Sequence, residues 1–123
     1  MKIYKNSNVK ELTPSDFILK NLNGNVKCKN TPSLIIFYAD WCPHCKNPQL
    51  INNMNFLGKV LPKRGINVNA YNCAFDEEHE EMAQQLNIKG FPTIIYFNQK
   101  GKRNEYNGPR DIKNILDFMI QKS

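Results

Sequence analysis

No stretch of this sequence approaches the roughly 18 uninterrupted apolar residues that a membrane-spanning helix needs, so no membrane span is expected. The opening segment MKIYKNSNVKEL has no apolar run of signal-peptide length, and the chain is expected to stay where it is made. Dense Lys/Arg blocks are also missing: the formal net charge of +6 is spread along the whole chain. Such a spread reads as a solvated basic surface, and no nucleic-acid partner is expected. Histidine is scarce, with two residues far apart, and His79 within EEHEE reads as part of a solvated acidic helix face. Linkers and internal repeats are lacking as well.

What is present suits a single folded domain over residues 1–123, long enough to bury a core without disulfide staples. Hydrophobic residues at 41% and charged residues at 23% are near the average for soluble globular chains, which sets aside global disorder and fibrous classes.

Strand and helix signals alternate. NVKELTPSDF reads as a short strand around Val9 and Leu12, then a helix capped by Thr13 with Pro14 in its first turn and Asp16 completing a capping box. That helix is expected to end at Gly24. SLIIFYAD is a continuous apolar run of strand length, suited to a central strand buried on both faces. After it Leu50, Ile51, Met54, Leu57 and Leu61 recur at helical spacing until Pro62. INVNAY alternates as a strand, and Asp76 can cap a helix carrying Met82, Ala83 and Leu86. PTIIYF and KRNEY, joined by NQKG, read as an antiparallel hairpin. Pro109 then opens a helix with Ile112, Ile115, Leu116 and Met119 along one face. The order β α β α β α β β α implies an α/β fold with a parallel core, an antiparallel C-terminal hairpin and helices on both faces of a mixed sheet.

DWCPHC, residues 40–45, delivers two cysteines where the central strand turns into a helix. Unpartnered N–H groups and the helix macrodipole stabilise a thiolate there, so Cys42 is the expected attacking thiol. Cys45, one turn further in, is the more buried partner and the expected resolving thiol. Pro43 restricts the turn and offers no N–H, and His44 can add positive charge near the Cys42 sulfur. Stabilising the thiolate favours the reduced state, which makes the disulfide a stronger oxidant.

Three ordered segments resemble the thioredoxin superfamily across most of the chain. FYADWCPHCK is similar to that family's active-site strand and helix start, and IKGFPTIIYF to its loop carrying a cis-proline. EYNGPRDIKNILDFM resembles the last strand and helix of a protein disulfide isomerase catalytic domain. Cys-Pro-His-Cys itself is similar to the bacterial periplasmic disulfide oxidants. The resemblance implies a thioredoxin fold and a thiol–disulfide oxidoreductase that needs no cofactor beyond Cys42 and Cys45. It also implies a cis Pro92 against the active-site sulfurs, with the backbone of Phe91 free to bind a substrate strand. Trp41, read from its own chemistry, is expected to pack under the helix and to present the same ring at the surface for substrate. Arg110 falls where disulfide isomerase domains carry an arginine that lowers the resolving cysteine's pKa; an exposed arginine in a first helical turn is the other reading.

Two positions depart from the family pattern. Ile36, six residues before Cys42, replaces the buried carboxylate that relays the resolving cysteine's proton. Pro48 comes three residues after Cys45, earlier than the family's helix-kinking proline.

Partners implied are thiol- or disulfide-containing protein substrates and an unidentified redox partner. The Pro43–His44 pair favours the oxidase or isomerase direction. The expected compartment, cytoplasmic or virion-associated, suits a cytosolic thioredoxin-like reductase, which stands as the alternative. Two other classes are less favoured: a zinc protein using Cys28, Cys42, Cys45 and Cys73 as four thiolates, and a non-catalytic binding subunit using the Phe91–Pro92 groove. Cys28, in a polar loop, and Cys73, at a strand end, lack CxxC partners, and no metal is expected; free thiols are the default reading for that pair in a cytosolic setting, with a second disulfide or a regulatory pair as the other readings.

Overall fold

The computed structural model describes residues 2–5, 7–19 and 26–123. In chain order the elements are β1 (Lys10–Glu11), β2 (Phe17–Leu19), β3 (Val26–Cys28), β4 (Ser33–Tyr38), α1 (Pro48–Val60), β5 (Asn67–Asn72), α2 (Glu77–Gln85), β6 (Thr93–Phe97), β7 (Arg103–Tyr106) and α3 (Ile112–Lys122). Single 3-10 turns occupy Pro14–Asp16, Pro43–Lys46 and Pro62–Arg64.

The main sheet has the order β1-β5-β4-β6-β7. Strand β5 runs parallel to both β1 and β4, while β6 and β7 are antiparallel additions. The mixed sheet expected from the sequence is therefore present. All six β4 residues are buried, which explains why SLIIFY has no polar alternation.

Each face of β4 feeds a separate core. Leu34, Ile36 and Tyr38 join Leu50, Met54 and Leu57 of α1 and Ile115 and Met119 of α3. Ile35 and Phe37 meet Phe17, Val26 and Cys28 of the β2–β3 pair and Ala83 and Leu86 at α2. Helices thus cover both faces. Removing side chains such as Met54 and Leu57 from water contributes roughly 1.5–3 kcal/mol each. Gly58 lets α1 lie close on the N-terminal segment: a Cβ there would meet the Asn8 backbone at 3.1 Å.

The first expected helix is corrected. Thr13 and Asp16 do form a capping box, but the turn they cap ends at Asp16. Phe17 to Leu19 instead pair antiparallel with Val26 to Cys28, covering the second core with a two-stranded sheet. Pairing with a distant segment overrides the local start signal, since a capping box serves one helical turn as well as three. The proposed stop at Gly24 lies outside the described residues. Cys28, read as a loop residue, is in β3 and buried.

Helix α3 starts at Ile112 and not at Pro109, and Asp111 caps it, its side chain accepting from the Asn114 N–H at 3.3 Å. His79 is not on a solvated face: it is buried, stacked on Tyr71 with ring centroids 5.1 Å apart and joined to Asp76 through Nδ1 at 2.6 Å. Asp76 caps α2 as expected. Among the described residues no helix is long and apolar enough to cross a membrane.

Candidate active site

Strand β4 ends at Tyr38, and the chain turns through Ala39 to Trp41 before presenting Cys42, whose N–H bonds the Ala39 carbonyl at 3.1 Å. Cys42 then caps the 3-10 turn Pro43–Lys46, and the Cys45 N–H closes on the Cys42 carbonyl at 3.1 Å. Both cysteines are free thiols. Cys42 retains 6% exposure at the rim, whereas Cys45 is sealed at 1% beneath it.

Pro48 has a role other than a kink. It occupies the first position of α1, and Asn47 caps that helix by accepting from the Gln49 and Leu50 N–H groups. A proline disfavours helical backbone in the preceding residue, and Asn47 indeed has ψ 121°. The chain therefore breaks between the cysteine turn and α1. Cys42 is consequently not at the start of the long helix, as the sequence reading had it; its N–H donors come from its own short turn.

The two thiols are set apart by their surroundings. Burial acts to raise the Cys42 pKa, but the Cys45 N–H, the Cys45 thiol, the His44 N–H and the Arg110 charge together turn the net shift downward. Burial pushes Cys45 up to about 12, reinforced by its bond to the Cys42 sulfur and by that sulfur's charge. A group that ionises readily at the rim thus sits against one that holds its proton inside.

The segment across from Cys42 leads into β6. The Phe91–Pro92 peptide is cis, as expected, and the Cys42 thiol donates to the Phe91 carbonyl at 3.7 Å. Pro92 is buried, while Trp41 stands 65% exposed with its ring edge-on to Phe91 at 5.8 Å. Arg110 precedes α3 and reaches the Pro92 carbonyl oxygen at 3.5 Å, so its guanidinium lies beside the site and not in a remote helical turn. Asn53 of α1 holds this loop by donating to the Arg110 carbonyl at 3.0 Å.

The structure thus gathers Trp41, Cys42, Pro43, Cys45, Phe91, Pro92 and Arg110 at the carboxyl end of β4. His44 acts on Cys42 through its main chain, and the exposed residue lines a cleft of about 560 Å³ shared with Asn47, Gln49, Asn53 and Arg110. The cleft's amide side chains were not singled out in the sequence, although Asn47-Pro48 is a readable cap and first-turn pair. Cys73 lies just beyond β5, and it and Cys28 belong to the second core, whereas Cys42 and Cys45 belong to the first. The four thiols are therefore divided between two cores; among the described residues no three His, Cys, Asp or Glu side chains group to hold a metal ion.

This fold and site place the chain in a known class. Residues 9–121 match the thioredoxin family model, and the chain belongs to that family. It is 31% identical over 109 residues to protein disulfide-isomerase tigA of Aspergillus niger, covering 88% of this chain and 30% of that protein. It is 36% identical over 90 residues to protein disulfide-isomerase A4 of Mus musculus, covering 73% of this chain and 14% of that one. The chain spans less than a third of the length of either relative. In backbone it is similar to the Trx4 domain of ERdj5, with a TM-score of 0.70 at 22% identity, covering 94% of this chain and 96% of that one.

Proposed function

We propose that this chain is a thiol–disulfide oxidoreductase working through the Cys42–Cys45 pair. The observation that carries the reading is the placement of the thiols: Cys42 at the rim against the cis Phe91–Pro92 segment, and Cys45 one short turn behind it and sealed; a Cys42 pKa turned downward and a Cys45 pKa pushed up by burial agree with it. Kinship with disulfide isomerases, which this chain matches over part of their length, supports the same reading.

In the reducing sense, the Cys42 thiolate attacks a substrate disulfide and forms a mixed disulfide, releasing one substrate thiol. Cys45 then loses its proton and attacks the Cys42 sulfur, which frees the second substrate thiol and leaves the Cys42–Cys45 disulfide. In the oxidising sense a substrate thiolate attacks that disulfide at Cys42, and a second substrate thiol displaces Cys42. Trp41 and the Phe91–Pro92 segment form the surface that takes the substrate backbone, and Arg110 supplies positive charge to both sulfurs.

The oxidase or isomerase direction is the one we favour. A stabilised Cys42 thiolate favours the reduced protein and makes the disulfide the stronger oxidant, as in the periplasmic oxidants whose Cys-Pro-His-Cys sequence this one shares. Substrates are then protein thiols, with a separate redox partner restoring the disulfide. Equilibration with glutathione tests this direction. A potential near or above about −180 mV supports it, and one at or below about −270 mV makes the chain a reductase.

A further inference from the structure

The turn that joins β6 to β7 and the last residues of α3 border a second cleft, of about 680 Å³. Lys100, Lys102 and Lys122 line it, and its other lining side chains are amides and a hydroxyl, with no Asp or Glu among them. None of these three lysines has an ion-pair partner among the described residues; the pairs formed there are His79–Asp76, Arg103–Glu105 and Lys113–Asp117.

One buried side chain sets the frame. Asn98 Oδ1 accepts from the Lys100 and Lys102 N–H groups, each at 3.0 Å, while its Nδ2 donates to the Lys122 carbonyl at 3.0 Å. Asn104, also buried, donates to the Lys102 carbonyl at 3.1 Å. In shaping the turn, these two amides fix the main chain of three lysines drawn from a hairpin and from the far end of a helix. A fourth ammonium group rests against the same turn. Gly101 has φ 79° and no side chain, and a Cβ there would lie 3.1 Å from Lys27 Nζ.

Opposing charge is small. The C-terminal end of α3 contributes about half a negative charge, and a terminal carboxylate on Ser123 would add one more, which still leaves the cleft positive.

We propose that this cleft is a docking site for an acidic protein segment, one carrying several Asp or Glu side chains in a short run. Three features select protein carboxylates over phosphates and nucleic acid. The N–H groups of the turn are spent: Lys100 and Lys102 donate to the Asn98 side chain and Gly101 to its carbonyl at 2.8 Å, so no backbone nest is left for a phosphate. No arginine lines the cleft to grip a phosphate with a bidentate fork. No aromatic ring lines it either, so bases would find nothing to stack on. What remains is a set of ammonium groups on long, flexible stems, suited to carboxylates spaced along a chain.

Sheet register places the cleft away from the cysteines. Phe97 pairs with Ser33 and Thr93 with Phe37, so the β6–β7 turn lies at the amino end of β4, whereas Cys42 follows its carboxyl end. The length of that strand, roughly 17 Å, separates the two. An acidic partner anchored in the cleft therefore leaves the Cys42 rim open.

Anisotropy of fluorescein-labelled hexaglutamate, titrated with the full chain at about 0.15 M salt, tests the site. Combining Lys100→Gln, Lys102→Gln and Lys122→Gln should weaken binding at least about tenfold, as expected when three exposed ion pairs are lost together. Lys2→Gln, Lys46→Gln and Lys89→Gln remove the same net charge from exposed positions outside the cleft. That control should weaken binding less than about threefold, because salt screens charges beyond the Debye length. Equal losses in the two triple variants would mean attraction to net charge alone and overturn the proposal. Absence of hexaglutamate binding, or tighter binding of an oligothymidylate of equal charge, overturns it as well. The readout involves no thiol, so none of these outcomes bears on the exchanging pair.

Discussion

Arg110 places its guanidinium 3.5 Å from the carbonyl oxygen of Pro92, bringing a fixed positive charge to the site. That charge lowers both Cys42 and Cys45. Arg110→Gln should raise both pKa values and slow alkylation of Cys42 at pH 7. Because the arginine is exposed, the loss should be at most about fivefold, the equivalent of an exposed ion pair worth up to about 1 kcal/mol. Rates of iodoacetamide labelling across pH, compared with Arg110→Lys, measure it; Lys keeps the charge and should restore most of the rate.

Asn47 separates two possible sources of the Cys42 shift. It caps α1 and not the cysteine turn. Asn47→Ala should cost about 1 kcal/mol of stability in a denaturant titration. The pH midpoint of Cys42 labelling should hold, since the Cys45 and His44 N–H groups of the short turn remain in place. A large upward move of that midpoint would return the credit to α1.

Stability of the reduced protein should fall in alkali. Cys45 and Cys73 are each pushed up to about 12, principally by burial, so the unfolded chain gives up these protons first. For a thiol with raised folded pKa the stabilisation is complete below the unfolded value near 8.5 and is lost as pH climbs toward 12. Each thiol should contribute a slope of about 1.4 kcal/mol per pH unit inside that window. Cys42 has the opposite sign: its depressed pKa adds stability above the unfolded value and loses it as pH falls through the folded one. Denaturant midpoints of reduced protein at several pH values, with Cys73→Ala as a control, check the balance.

Gly58 makes a packing prediction independent of redox chemistry. A Cβ there would press on the Asn8 backbone and the Val9 side chain, each at 3.1 Å. The helical preference for alanine, worth about 1 kcal/mol, should therefore be cancelled or reversed in Gly58→Ala, since the contact is with backbone. Thermal melting gives the sign.

What the sequence disclosed and what it hid divide along contact distance. Helix α1 was legible because Leu50, Met54 and Leu57 recur at the helical period, and α2 because Asp76 precedes it as a cap. Cys42, Cys45 and Pro92 were legible because short motifs carry them. The helix expected after Thr13 failed because the fate of Phe17 to Leu19 is set by pairing with Val26 to Cys28, which no local spacing encodes. His79 was misread for a related reason: its acidic neighbours suggest solvent, while Tyr71 and Phe75 supply the rings that cover it.

The division of labour between the two cysteines is tested most directly by trapping. Cys45→Ser and Cys42→Ser proteins would each be incubated at pH 7 with a disulfide-bonded peptide, and covalent adducts counted by non-reducing mass analysis. Cys45→Ser should accumulate a mixed disulfide at Cys42, because attack proceeds and resolution cannot. Cys42→Ser should form almost none, since Cys45 is sealed and protonated. Equal trapping by both variants, or adducts at Cys28 or Cys73 in place of Cys42, would contradict the account.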